Sequence, residues 1–489
     1  MKQNGHATDM YKQLEKAFEQ IDSLSKKLIE LESENRKKVK KLNYQIKALE
    51  NTNRAKDKKI EKLELEIKQI KAKNNRDSSN SSKPSSTNGF RKVITNRREP
   101  SNRKQGGQAG HQFYSLTEDK IDELIASGVK PEIIEIGKTP ENQNRPYKTI
   151  KVIDIIVKPV IKEYRYYGEC IKEVSNIQNI IYGNTIKAFS SMLMYQFPNS
   201  TDATKEIIKS LTNDCIDISK GTLINWGNNL SEKLQPEIRK IEEELLRGHY
   251  LHHDESGWKI NGTSSNLLVA SNATHSRFWN SKRKRKKDIE EIGFLSRFNG
   301  IIIKDATDIY NGCGSGFSQC LSHILRYLKG IYEINKHQSP RLMSEFLINC
   351  IDNRNKLISE DIKGYSVEEY EKLLLEYEQI IKSWKKEWMA SFEINPIYDD
   401  ERQLLSRMED NDKKQILYFL QDFKVPATNN QAESDLRPSK IKQKIGKFRS
   451  AVGADNYVII RSCVNTYKKN NINILEAFTR AFGSKPILV

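Results

Sequence analysis

The sequence predicts a composite chain: a long N-terminal coiled coil, a mostly helical region, and an α/β core interrupted by a large helical insertion. Three observations predict it. Leu and Ile recur at every seventh residue between Met10 and Lys73, in a stretch without Pro or Gly. From Gly248 the pattern reads as three strands, a helix over Asp288–Phe298 and a fourth strand. From Phe317 to about Phe423 it turns helical.

The first element spans residues 9–73. Leu14, Ile21, Leu28, Leu42 and Leu49 fall on one heptad position, and Ala17, Leu24 and Leu31 on the other. A period of about 3.5 residues marks a coiled coil, which implies a homo-oligomer, dimer or trimer. Asn35 lies in the seam, where a buried amide fixes register and strand number. Past Thr52 the seam resumes, offset, as Ile60, Leu63, Ile67 and Ile70, which reads as a stutter.

Residues 74–112 change character. Ser, Asn, Lys and Arg dominate, and the segment is too poor in apolar side chains to offset its chain entropy. It reads as a flexible basic linker ending in the Gly-rich turn "GGQAGHQ", Gly106–Gln112. That turn lacks the strand–turn–helix setting and the Lys-Ser/Thr pair of a phosphate-binding loop. Residues 113–183 read as a small β-containing module, because Lys148–Tyr167 alternates like a hairpin. Residues 184–247 read as helical. Within them "IDISKGTLINWGNNL" has the look of a helix-turn-helix, with Gly221 near the turn and Thr222–Leu230 as second helix; a plain turn between packed helices fits the same residues.

Composition narrows the function. The chain has 489 residues, with 82 Lys+Arg against 64 Asp+Glu and a net charge of +18. Such a balance suits a polyanionic partner. No apolar stretch approaches the roughly 20 residues of a membrane span, and Met1–Met10 is polar, unlike a signal peptide. The six cysteines are scattered without a Cys-x-x-Cys, so neither a disulfide scaffold nor a four-cysteine zinc knuckle is expected. The expectation is a cytoplasmic protein with reduced thiols.

Residues 248–450 carry the chemistry, with 451–489 read as C-terminal helices. Strand–strand–strand–helix–strand opens a ribonuclease H-like α/β fold. Asp254 ends the first strand and Asp305 the fourth, and sites form at strand ends in open α/β sheets. Two carboxylates there suit Mg²⁺ or Mn²⁺, and a third acid completes a two-metal site for in-line attack at phosphorus. Glu433 is the candidate, because Arg437 and Lys440 share its helix face at i+4 and i+7. Glu255, Asp308 and Asp435 are second choices. The exposed run Lys282–Lys287, with Lys282, Arg283 and Arg285, suits a DNA path.

These motifs together resemble the DDE transposases of the insertion-sequence-66 family: "DES" at 254–256, "KDATDIY" at 304–310, "CLSHILRYL" at 320–328 and "NNQAESDLRPSKIKQKIGKFRSAVGA" at 429–454. The upstream order is similar too, with the zipper, "NSSKPSS" at 80–86, the Gly106–His111 turn and "GTLINW" at 221–226. The resemblance implies an acidic triad at Asp254, Asp305 and Glu433, with DNA contacts at Arg437, Lys440 and Lys444. Cys320 and His323 match its Cys-x-x-His helix, here a structural pair, since further zinc ligands are not apparent. Residues 113–183 take the place of the family's zinc module, of which only Cys170 remains. The tyrosine common two residues after the second aspartate is Thr307 here.

The expected function is a transposase that binds the terminal inverted repeats of its element and uses two Mg²⁺ or Mn²⁺ ions for DNA cleavage and strand transfer into target DNA. The resemblance further implies a prokaryotic, nucleoid-associated protein, with accessory proteins from the same element as further partners. Two alternatives share the features: a non-catalytic coiled-coil DNA-binding protein, repressor or architectural factor, and a ribonuclease H-like nuclease without joining activity.

Overall fold

Helix α1, Asn4–Asn74, runs unbroken, as the absence of Pro from it and of Gly beyond its first turn allows. Its Leu14, Ile21, Leu28, Leu42 and Leu49 are exposed in the single chain. The computed structural model describes residues 4–74, 118–136, 138–140, 148–151, 153, 157–165, 172, 180–305, 308–390 and 398–483. The expected linker past Asn74, the Gly106–Gln112 turn, Cys170 and Thr307 lie outside them. No helix among the described residues is long and apolar enough to cross a membrane.

The chain divides into two compact units. One takes residues 1–89, 324–349 and 371–411, the other 90–323, 350–370 and 412–489. The second holds the sheet. It begins with α2, Glu118–Ala126, which buries no residue. Four helices follow: α3 (Asn184–Tyr195), α4 (Thr201–Leu211), α5 (Lys220–Lys233) and α6 (Gln235–Leu246). Ser200 and Ser219 cap α4 and α5, each side chain accepting a backbone N–H of the first turn, a contact worth about 1 kcal/mol. Leu223, Leu230, Ile238, Ile241 and Leu245 join one core with Ile460, Val464 and Phe478. Each such burial contributes roughly 1.5–3 kcal/mol.

Gly221 lies inside the first turn of α5, and residues 212–219 separate α4 from α5. That connection is longer than the about three or four residues of a helix-turn-helix, so the tight turn expected there is absent. Lys148–Tyr167, expected as a hairpin, forms no strand over its described residues. Ile150, Val160 and Ile161 are exposed there, so alternation found no layer to pack on.

Five strands follow: β1 (Tyr250–Ile260), β2 (Thr263–Ser271), β3 (Ser276–Ser281), β4 (Ile301–Lys304) and β5 (Gly316–Gln319). They lie in the order β3-β2-β1-β4-β5. β1, β2 and β3 pair antiparallel, and β4 and β5 run parallel to β1. Asn261 and Gly262, both at positive φ, make the two-residue turn between β1 and β2, as an Asn-Gly pair favours. Helix α7, Lys286–Ile292, lies between β3 and β4. It stops at left-handed Gly293, short of the Phe298 end expected from the sequence, because Gly at that position terminates a helix. β5 replaces the helix expected from Phe317.

Alternation along β2 sorts its side chains onto two faces. Leu268 and Ala270 join the core of the α3–α6 layer. Leu267 and Val269, with Trp258 and Phe278, pack against Ala432, Leu436, Ala454, Tyr457 and Val458. These belong to α12 (Asn430–Ile445) and α13 (Ala451–Lys469); α14, Ile474–Phe482, completes the unit's helices. A mixed sheet of this order with helices on both faces is compatible with a ribonuclease H-like core.

Helices α8 (Leu321–Asn335), α9 (Gln338–Ser359), α10 (Val367–Ala390) and α11 (Tyr398–Ser406) follow β5. The other unit draws its core from them. Within it Glu401 is fully buried, and its carboxylate accepts from Trp384 Nε1 and Asn335 Nδ2 and contacts His337 Nδ1. Surrounding donors of this kind offset the cost of burying a charge.

Candidate active site

The β1–β4 pairing sets Tyr250 beside Ile301, Leu251 beside Ile302 and His252 beside Ile303. Carried on two residues, the same register brings Asp254 beside Asp305, on strands about 4.8 Å apart. Both acids therefore stand just past the stretch where β1 and β4 pair; Asp305 follows the end of β4, but Asp254 lies inside β1 rather than at its end as expected, because antiparallel pairing with β2 carries β1 on to Ile260. Asp254 is pushed up to about 7, first by burial, then by the charges of Asp305 and Glu255. The Glu255 backbone N–H, donating to Asp254 Oδ1 at 2.8 Å, and the Lys440 charge oppose the rise.

Pleating separates Asp254 from Glu255. Asp254 shares a face with His252 and Trp258, the face that α12 covers. Glu255 shares the opposite face with His253, where the buried Tyr310 ring meets the His253 ring edge-on and the Tyr310 hydroxyl donates to the Glu255 carboxylate. Burial and the Glu255 charge raise the Tyr310 hydroxyl well above the usual phenol range, so it stays a donor. Lys284, from the basic run, pairs with the same carboxylate. Glu255 is thus engaged and does not take the Asp254 position. Sequence reasoning missed this Lys284–Glu255–Tyr310 group; only the adjacency of Glu255 to Asp254 hinted at it.

Asp305 pairs with His323 Nδ1 at 2.9 Å. Burial disfavours the charged ring, but hydrogen bonds and charges from Asp305 and Cys320 outweigh it and raise His323 to about 11. Among the described residues, Asp305, Cys320 and His323 form the one group of three such ligand types whose atoms lie within 4.8 Å of one another. Three ligand atoms are one short of the four that close a structural zinc site; the Asp305–His323 ion pair has the Cys320 thiol beside it.

Glu433 lies in the first turn of α12, at the positive end of the helix dipole. Its Oε1 is buried and has no hydrogen-bond partner. The charges of Asp305 and Lys440 both act on Asp254. Arg437, Lys440 and Lys444 are exposed along the stripe that starts at Glu433. Asp435 cannot stand in for Glu433. It faces the protein, holding Lys469 Nζ and the Ser276 hydroxyl at 2.9 Å each and Gln431 Nε2 at 3.1 Å. Lys282, Arg283 and Arg285 are exposed, but Arg285 pairs with Asp288 at 2.9 Å and so is partly committed. The Asp308 side chain lies outside the described residues.

The donors fit a hard divalent cation. All are carboxylates; Asp254 is raised to about 7 by burial and by like charges, and Glu433 has a buried oxygen without a donor. A cation among them would relieve both costs.

Fold and site define a protein with a carboxylate-bearing mixed α/β sheet flanked by helices. Residues 186–456, more than half of the chain, match the transposase IS66 family, and the chain belongs to that family. No curated protein matches it.

Proposed function

We propose that this chain is a catalytically competent DDE transposase that binds the terminal inverted repeats of its own element, cuts them and joins them to target DNA. One observation carries the reading: two carboxylates lie just past the parallel pairing of β1 and β4, close enough for the Asp305 charge to add to burial in raising Asp254 to about 7. Asp254, Asp305 and Glu433 would hold Mg²⁺ or Mn²⁺. When bound, such ions activate the attacking oxygen and stabilise the leaving one in displacement at phosphorus. Arg437, Lys440 and Lys444 would grip backbone phosphates along α12, with Lys282, Arg283 and Arg285 extending the path. Water is the nucleophile for cutting and a DNA 3′-hydroxyl for joining, so no side chain is needed as a covalent carrier. α1 would pair copies of the chain, and the basic linker and the α3–α6 region would supply further DNA contacts. Accessory proteins of the same element are further partners.

The test is strand scission on labelled DNA carrying the element's ends, with a target duplex and any accessory proteins supplied. Parent protein is compared with Asp254→Asn and Glu433→Gln in Mg²⁺, Mn²⁺ or EDTA. The expected result is metal-dependent 3′-hydroxyl ends and joined product from the parent, with each variant at least about a hundredfold slower. Cutting without joined product would leave a nuclease. Binding without cutting under every condition would leave a DNA-binding protein.

A further inference from the structure

Asn429 is fully buried and stands at the N-cap of α12, four residues before Glu433. An asparagine there normally turns its side chain onto the first-turn N–H groups of its own helix. Asn429 makes no such cap bond. Its amide Nδ2 donates instead to the His253 carbonyl at 2.9 Å, and its Oδ1 meets His252 Nδ1 at 3.1 Å. The orientation is fixed by chemistry. A carbonyl can only accept, so Nδ2 must face His253, and Oδ1 then requires an N–H on His252 Nδ1. The Asn429 backbone is spent as fully: its N–H donates to Cys320 Sγ at 3.1 Å, and its carbonyl accepts from Glu433 N at 3.3 Å.

Each of these bonds ends on a segment that carries or flanks an acid. His252 and His253 immediately precede Asp254 on β1. Cys320 receives its own backbone tie from the end of β4, donating to Lys304 O at 2.9 Å, and lies one helical turn before His323, the partner of Asp305. Glu433 is the next turn of α12. β1, the β4 end and α12 are far apart in sequence; the β1–β4 ladder and the packing of Trp258 on Ala432 and Leu436 bring them together, and the Asn429 bonds add directional contacts beside the acids.

We propose that Asn429 is a positioning residue that holds the segments of Asp254, Asp305 and Glu433 in register for divalent-cation binding; this rests on the reading of those acids as the metal-holding set. Asn429 touches neither the metal nor the DNA in this role. Outer-shell partners of this kind change metal affinity by about 10- to 100-fold when removed.

The experiment measures Mn²⁺ binding to the full-length protein by electron paramagnetic resonance, without DNA, below the melting temperature of every variant. Asn429→Ala is expected to weaken binding at least about tenfold. Phe478→Leu, a core change in α14, serves as a destabilised control and is expected to bind as the parent does. Asn429→Asp covers the case in which the alanine variant does not fold. It keeps the shape and the His252 contact but sets a carboxylate against the His253 carbonyl. Its added negative charge would by itself strengthen Mn²⁺ binding, so weaker binding would report lost geometry. Asn429 variants within twofold of the parent would overturn the positioning role alone. A parent that binds no Mn²⁺, or an Asp254→Asn protein that binds as the parent does, would overturn the acidic-site reading and the Asn429 role with it.

Discussion

Asp254 stores an electrostatic cost that can be read as stability. Its folded-state value of about 7 lies above the roughly 3.9 of an unfolded aspartate. A raised carboxylate favours the protonated native state, so its contribution is complete below about pH 4 and is lost as pH climbs through 7. His252 and His253 work the other way. Burial lowers them to about 4 and about 3, so their contribution is present above about pH 6.5 and is lost as pH falls through those values. The parent's own profile mixes these opposing slopes, and the difference between Asp254→Asn and parent isolates the carboxylate. In EDTA, Asp254→Asn is expected to be the more stable protein at pH 8 by about 2–4 kcal/mol, with the gap closing toward pH 4. Mn²⁺ at pH 8 is expected to raise the melting temperature of the parent and not that of the variant. A gap that does not change with pH would remove Asp254 as the strained acid. At this scale the sequence was informative where chemistry follows position: an acid at the end of the apolar β4, and an acid followed by cations at helical spacing; the end of β1 was not legible, because its pairing with β2 extends it past Asp254. It was silent on the contact among Glu255, Tyr310 and Lys284, because no local period connects residues that meet only through tertiary packing.

The elements were legible in proportion to their length and their punctuation. α1, β1, α10 and α14 carry strong periods or clear ends. β5 is four residues, "GFSQ", too short and too polar to show a strand pattern, and only its pairing with β4 makes it one. α7 was drawn too long because apolar residues continue past Gly293, whose backbone nevertheless ends the helix. α12 reads from sequence as a polar helix with one functional face. Its other face is set by Asp435, which a sequence cannot distinguish from a solvated acid. The Asp435–Lys469 pair is nearly buried, with side chains 8% and 11% exposed, and it ties α12 to α13. Lys469 also donates to the carbonyls of Asn272 and His275 at the β2–β3 turn. Removing one partner leaves an unpaired buried charge, so Lys469→Met is expected to cost about 3–5 kcal/mol in urea denaturation. Asp435→Asn with Lys469→Met is expected to recover much of that loss, as coupled partners do. A double variant as unstable as the sum of the singles would mean that the two residues act separately.

At the scale of the whole molecule, α1 is the part whose single-chain structure is incomplete on physical grounds. It is 71 residues long, or about 105 Å at 1.5 Å per residue. Its stripe includes Leu24, Leu28, Leu31, Leu42 and Leu49, each more than half exposed. An isolated helix with such a stripe gains little from tertiary packing, and most helical stability in proteins comes from that packing. A second copy would supply the missing face, with Leu and Ile knobs entering the holes of the partner. Two catalytic units per assembly would also match an element with two inverted ends, each needing an acidic site. Replacing Leu28 and Leu42 together by Glu puts charges into the seam, and sedimentation equilibrium is expected to show a monomer where the parent is a dimer or trimer. The melting transition of the sheet-bearing unit should be unchanged, since those side chains lie on α1 alone. Asn35→Leu is expected to act oppositely, raising the stability of the assembly while relaxing its strand number, because the buried amide trades stability for register. An oligomer that survives both Glu substitutions would place the self-association elsewhere in the chain.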